Sequence, residues 1–280
     1  MLRGKFKIQT KHSVVVEIGG IAIEVCSTDD AFCAMLSARY AGFLNPDAQP
    51  TCRFDVHLVA PTDEIDADHD LQVSFDEGIW NLRRGDFLAT WDPAVGRGVV
   101  RQSPSPYAID SVLRIVHSLI LASTGGLLVH AASAVREGRA FLFAGVSGAG
   151  KTTISRCAPS DVTLLTDEIS YVRHCQDGFV ACGTPFAGEL ARAGENLAAP
   201  VDTLFFLEKG SENRIDDVSS ADALRRLMRN VLFFAHDQYL VDQVFRSACR
   251  FIQEVRVQRL LFRPDSRVWE IIRPSAGVAA

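Results

Sequence analysis

The chain has 280 residues, enough for one large domain or two modest ones. Apolar residues make up 48% and charged residues 22%, proportions of an ordinary soluble globular protein rather than of a disordered or fibrous chain. A formal net charge of −5 leaves no basic footprint for nucleic acid, and no run approaches the roughly 18 apolar residues of a membrane-spanning helix.

The start, Met1-Leu2-Arg3-Gly4-Lys5, is basic but runs into polar residues, so no secretory signal is expected. Seven cysteines (26, 33, 52, 157, 175, 182 and 249) are scattered without a C-x-x-C pair. They read as reduced thiols of a cytoplasmic protein, not as a disulfide framework or zinc site. Five lysines stand against 24 arginines, which a GC-rich genome accounts for.

The first hundred residues carry short β-favouring runs: Val14 to Ile18, Ile21 to Cys26, Phe54 to Val59, Leu71 to Phe75, Ile79 to Leu82, Phe87 to Thr90 and Val99 to Arg101. Gly19-Gly20, Gly85-Asp86 and Asp92-Pro93 supply turns between several of them. Thr28 to Ala41 is predicted to be a helix, capped by Thr28 or Asp29, with Ala31, Met35 and Ala38 facing inward. Pro61 to Asp70 gathers Asp63, Glu64, Asp66, Asp68 and Asp70 around His69 and reads as a solvated acidic loop rather than a metal site.

Ser103-Pro104-Ser105-Pro106 marks a boundary and a helix start, with Ser105 as cap. The helix beyond it aligns Ile109, Val112, Leu113, Val116, Leu119 and Ile120, and Gly125-Gly126 ends it. Two strands, Leu127 to Val135 and Ala140 to Ala144, are joined by the turn at 136–139. After residues 145–152 comes a short helix stopped by Pro159, then a strand over Val162 to Leu165. Further strands are expected at Ser170 to Arg173, Phe179 to Cys182, Val201 to Leu207 and Gln258 to Phe262. Two amphipathic helices lie between the last pair. One has the stripe Ala223, Leu224, Leu227, Met228, Val231 and Leu232; the other is capped by Asp237. A short helix from about Ser266 to Ile272 closes the chain.

Residues 145–152 read Gly-Val-Ser-Gly-Ala-Gly-Lys-Thr, a complete G-x-x-x-x-G-K-[ST] phosphate-binding loop between a strand and a helix. Main-chain N–H groups of Gly145, Ser147, Gly148, Ala149, Gly150, Lys151, Thr152 and Thr153 are the candidates for cradling phosphates. Lys151 is placed to reach the β/γ-phosphates and Thr152 to hold Mg²⁺. ATP is the expected nucleotide, with GTP left open. Asp167 and Glu168 follow the next strand, the usual place for a carboxylate that completes such a site. One can hold metal while the other accepts a proton, provided the strand has ended, since neighbours in a strand face opposite ways.

His130 interrupts an apolar strand one hairpin upstream. It reads as a hydrogen-bonded core residue, or as a group orienting the γ-phosphate. Glu189, in the Gly- and Pro-rich loop from Gly183, reads as a substrate-closing or second-metal residue, or as part of a plain connection. Arg192, just beyond it in the same substrate or second-metal loop, is a candidate for contacting phosphate. Arg225, Arg226 and Arg229 read as a solvated helix face ahead of phosphate contacts.

The order His130, hairpin, phosphate loop, short helix and Asp167-Glu168 resembles the catalytic domain of HPr kinase/phosphorylase and the wider HPr-kinase-like group. That group is distantly related to ATP-dependent phosphoenolpyruvate carboxykinase. The resemblance covers roughly residues 125–190. It implies an α/β phosphate-loop kinase domain over about 105–280, with a β-rich N-terminal domain over about 1–104 that can serve acceptor recognition. It also implies Lys151 and Thr152 on phosphate and Mg²⁺, Asp167 as general base, Glu168 as metal ligand and His130 beside the transferred phosphoryl group. The pair is Asp-Glu where the regulatory enzyme has Asp-Asp, the segment between phosphate loop and acids is short and holds Pro159, and the N-terminal part differs from that enzyme's. These departures point to the kinases found beside peptide-modification genes, including those acting on lasso-peptide precursors. A serine of a peptide or small protein is then the expected acceptor, with no nucleic-acid or membrane partner. The regulatory enzymes of that family form hexamers; for this chain a homo-oligomer stays open. A small-molecule or carboxykinase-like enzyme, and a nucleotide-binding module without turnover, are the alternatives.

Overall fold

A computed structural model describes residues 11–59 and 70–275. The expected acidic loop lies outside the described residues except for Asp70. The chain forms two compact units, Met1–Val112 and Leu113–Ala280, and is mixed α/β with one sheet in each.

In the first unit β1 (His12–Ile18) and β2 (Ile21–Ser27) form a hairpin, turned by Gly19 and Gly20 in the left-handed region. α1 (Asp30–Arg39) starts where the Asp29 carboxylate accepts the Phe32 N–H at 2.8 Å. Its buried residues are Phe32, Cys33 and Leu36, so the expected inward face is corrected, with Ala31 and Ala38 turned to solvent. β3 (Cys52–Leu58) runs parallel to β2. A meander follows: β4 (Gln72–Asp76), β5 (Ile79–Arg84), β6 (Phe87–Asp92) and β7 (Arg97–Gln102), giving the order β1-β2-β3-β7-β6-β5-β4. Strict alternation along β6 and β7 buries Phe87, Ala89, Trp91 and Val100 while Leu88, Thr90 and Val99 face outward.

α2 (Pro106–Thr124) begins after Ser105, whose hydroxyl accepts the Tyr107 N–H, and ends before Gly125 with φ +83°. The division between the units falls inside this helix. Asp110 near its start is buried and accepts hydrogen bonds from the Arg39 guanidinium and the Tyr40 hydroxyl.

The second unit is built on β8 (Leu127–Arg136) and β9 (Arg139–Ala144), then α3 (Lys151–Arg156), β10 (Val162–Thr166), β11 (Ile169–Cys175), β12 (Gly178–Cys182) and β13 (Ala198–Lys209). β14 (Arg214–Asp217), α4 (Ser220–Met228), α5 (Gln238–Glu254), β15 (Arg256–Phe262) and α6 (Val268–Ile271) complete it. The sheet order is β10-β8-β11-β12-β13-β15-β14, with β9 paired to both β8 and β13. β9, β13 and β15 are parallel neighbours, with strand interiors apolar on both faces. Phe141, Phe143, Phe205, Leu260, Phe262 and Trp269 fill the core beneath them. The rings of Phe143 and Phe205 stack at 5.8 Å, and Trp269 meets Phe143 edge-on at 5.4 Å.

Val231 and Leu232, expected on the α4 stripe, lie beyond its end. Val231 bridges Val129 of β8, and the Leu232 N–H donates to the Leu128 carbonyl. Among the described residues no helix is long and apolar enough to cross a membrane.

Candidate functional site

Residues 145–150 leave the end of β9, next to the centre of the sheet, and enter α3 at Lys151. Gly150 has φ +113°, and a Cβ there would stand 2.6 Å from Phe262 Cζ, so this position takes only glycine without displacement. Ala149 and Ile154 belong to the core cluster, and the Trp269 indole N–H donates to the Ile154 carbonyl. The loop is thus seated on packed aromatic side chains and cannot shift without disturbing them. Ser147 and Gly148 are exposed at its tip, and Thr152 and Thr153 are half-buried.

Lys151 is buried at 9% exposure, and its ammonium donates to the Gly145 carbonyl at 3.0 Å, folding back across the loop it follows. Burial pushes its pKa down, while the carboxylates of Glu168 and Glu189 pull it back up. His130, half-buried on β8, is pushed below the usual histidine value by burial and by the charge of Lys151. Both causes favour the neutral imidazole. These shifts tie Lys151, Glu168, Glu189 and His130 into one electrostatic group.

The acidic pair occupies an interruption in what is otherwise one long strand. β10 and β11 lie along the same edge of β8, with Thr166 opposite Ser133 and Ile169 opposite His130. The spacing of these partners is equal on both strands, so Asp167 and Glu168 face the stretch Ala131–Ala132 without joining the ladder. The Thr166 hydroxyl accepts both the Glu168 and Ile169 N–H groups at 3.2 Å, which turns the chain here.

The two carboxylates then diverge. Asp167 is 5% exposed, and its oxygens accept the Gly188 N–H at 2.9 Å and the Leu190 N–H at 2.8 Å. Glu168 is half-buried and lies 3.6 Å from Arg114 Nη2. Clamping by Asp167 brings the loop's intervening residue, Glu189, to the phosphate loop, where the Thr152 hydroxyl donates to Glu189 Oε2 at 3.0 Å. Gly188 permits the approach: a Cβ there would lie 2.8 Å from both Asp167 Oδ2 and Glu168 Cβ.

Of the residues singled out in the sequence, Arg192 stands apart. It is exposed and paired with Glu195 at 3.6 Å. Arg114 is the functional candidate that sequence reasoning missed. Its guanidinium lies 4.9 Å from the Phe186 ring centroid, faces Glu168, and keeps a buried Nε without a hydrogen-bond partner. The signal was an arginine flanked by Leu113, Ile115 and Val116 in a buried stretch of helix.

The available donors are a hydroxyl and carboxylates, a hard oxygen set that suits Mg²⁺. Among the described residues no three His, Cys, Asp or Glu side chains form a metal cluster by themselves. An ion held by one or two carboxylates and completed by substrate phosphates matches this donor set.

No curated protein matches the chain. The family described as "SynChlorMet cassette protein ScmC" matches residues 107–274, more than half of the chain. The chain belongs to the ScmC family of SynChlorMet cassette proteins.

Proposed function

We propose that the second unit is a phosphate-loop kinase domain of the HPr-kinase-like type. It transfers the γ-phosphoryl group of ATP to a hydroxyl, that of a serine in a peptide or small protein. The observation that carries the reading is the convergence of Lys151, Thr152, Glu168, Glu189 and His130 around a loop with the phosphate-binding sequence. A family described as a cassette protein is in keeping with action on a product of the same cassette.

Lys151 and the main-chain N–H groups of residues 145–153 bind the triphosphate. Thr152, Glu168 and Glu189 would hold Mg²⁺, which when bound neutralises charge on the phosphates and orients them. Asp167 accepts the serine proton as the serine oxygen bonds to the γ-phosphorus. The bond from that phosphorus to the bridging oxygen breaks, and ADP leaves with the electron pair. Two N–H bonds keep the Asp167 carboxylate in one orientation, and each oxygen retains a lone pair for the incoming hydroxyl. His130, whose neutral form burial and Lys151 favour, adds a hydrogen bond to the transferring group.

The test is mass spectrometry of serine-containing peptides from the same cassette after incubation with the full chain, ATP and Mg²⁺. One added phosphate, absent with Lys151→Ala and Asp167→Asn, is expected. Full transfer by either variant would sink the assignment. ATP binding with no transfer to any such peptide would leave a nucleotide-binding module.

A further inference from the structure

Beside the phosphate loop lies a cavity of about 460 Å³ that shares only Gly145 and Val146 with the loop. Gly145 and Val146 line it, as do Phe206 and Leu207 near the end of β13, Arg225 and Arg226 on α4, and Arg229 just past its end. Val146 is 75% exposed, an apolar side chain left uncovered at the loop.

The charges there are unevenly matched. Asp222 is shared, accepting from Arg225 Nη1 at 2.8 Å and from Arg226 Nε at 2.7 Å. Glu208 accepts from Arg226 Nη1 at 2.8 Å and also faces Arg259 at 3.7 Å. Arg226, whose guanidinium lies 5.9 Å from the Phe206 ring centroid, is therefore tied into the wall by both carboxylates. No ion pair engages Arg229 among the described residues. Arg225 and Arg229 are four residues apart in helical geometry and share a face, and only Arg225 of the two has an anionic partner among the described residues, Asp222. An excess of cation on this wall contrasts with the chain's net charge of −5. The wall is also tied to the strand that carries His130: the main-chain carbonyl of Asn230, the next lining residue, accepts the His130 main-chain N–H at 2.7 Å.

We infer that this cavity docks the acceptor, taking an acidic side chain next to an apolar one in a peptide segment. Arg225 and Arg229 receive the carboxylate, and the exposed Val146 side chain receives the apolar group. The site selects acidic-apolar sequence near the modified serine. The inference rests on the phosphate loop being the nucleotide side of the site.

The experiment titrates the full chain with two fluorescein-labelled peptides, identical except that one carries leucine followed by two aspartates and the other leucine followed by two asparagines. Anisotropy at low salt is expected to give about tenfold tighter binding of the acidic peptide, a preference that disappears at roughly 0.5 M salt. Arg225→Gln combined with Arg229→Gln removes the preference and leaves ATP affinity unchanged; Arg229→Lys keeps most of it. Equal binding of the two peptides, binding of neither, or a preference surviving the double substitution overturns the inference. So does loss of ATP binding in the double variant, which would assign the cavity to the nucleotide. A wild-type chain that prefers the acidic peptide but binds no ATP would sink the nucleotide reading and with it the acceptor role, leaving a peptide-binding cavity.

Discussion

Asp167→Asn separates the two tasks given to this carboxylate. In the native site its two oxygens accept N–H groups of Gly188 and Leu190 at 2.9 and 2.8 Å, at a position 5% exposed. An amide offers one oxygen; its NH₂ must then face one of the two N–H donors. One charge-assisted bond is lost, the other becomes neutral, and a buried donor goes unsatisfied, which together cost about 3 kcal/mol. That is roughly a hundredfold in the equilibrium between docked and undocked loop. Amide hydrogen exchange measured by NMR should show the Gly188 and Leu190 N–H groups exchanging about a hundredfold faster. Amides in β9 and β13 should keep their native rates. Gly188→Ala supplies the control, because it pushes the loop off while leaving the carboxylate intact. If Asp167 also takes the serine proton, the Asn variant loses far more kcat than the Ala variant at matched loop opening. Unchanged exchange at the two amides in Asp167→Asn would refute the anchoring argument.

Gly150→Ala places a Cβ 2.6 Å from Phe262 at φ +113°, and a loss of about 2 kcal/mol in thermal stability, with weaker ATP binding, is expected. Equal melting temperatures would contradict the seating of the loop on the core. Burial lowers the pKa of His117 to about 3, and its folded value lies below the unfolded one near 6.5. The unfolded chain therefore takes up the proton first, and stability falls as pH drops below about 6.5, by about 2 kcal/mol at pH 5 from this group. Denaturant titrations across pH should show a shallower fall in His117→Gln; identical slopes would contradict it. Asp110→Ala strands Arg39 and Tyr40 and should cost about 3 kcal/mol in chemical unfolding of the first unit, and a change under about 0.5 kcal/mol would argue against a tie there.

Much of the architecture was legible because local signals agreed. Ser105 and Asp237 were expected caps and Asp29 one of two candidates with Thr28, and each accepts a main-chain N–H at its helix start. The face of α1 was not legible, because apolar residues surround the helix and bulk rather than period decides; Phe32 and Leu36 displace the alanines from the interior. β14 escaped notice because its four residues show no apolar alternation, and Arg214 and Arg259 hold it through Asp216. Val231 left the expected helix for a bridge to Val129, a pairing across a hundred residues that no local window contains. At the candidate site the phosphate loop and acidic pair stood out as motifs. The loop clamp through Asp167, the meeting of Thr152 with Glu189, and the approach of Arg114 to Glu168 depend on long-range packing.

The central claim is that residues 145–152 hold a nucleoside triphosphate through Lys151. Calorimetric titration of the full chain with ATP in Mg²⁺ tests it without knowledge of the acceptor. One site per chain is predicted, with affinity falling by about a hundredfold in Lys151→Ala. No heat of binding in the wild type, or undiminished affinity in Lys151→Ala, would contradict the account.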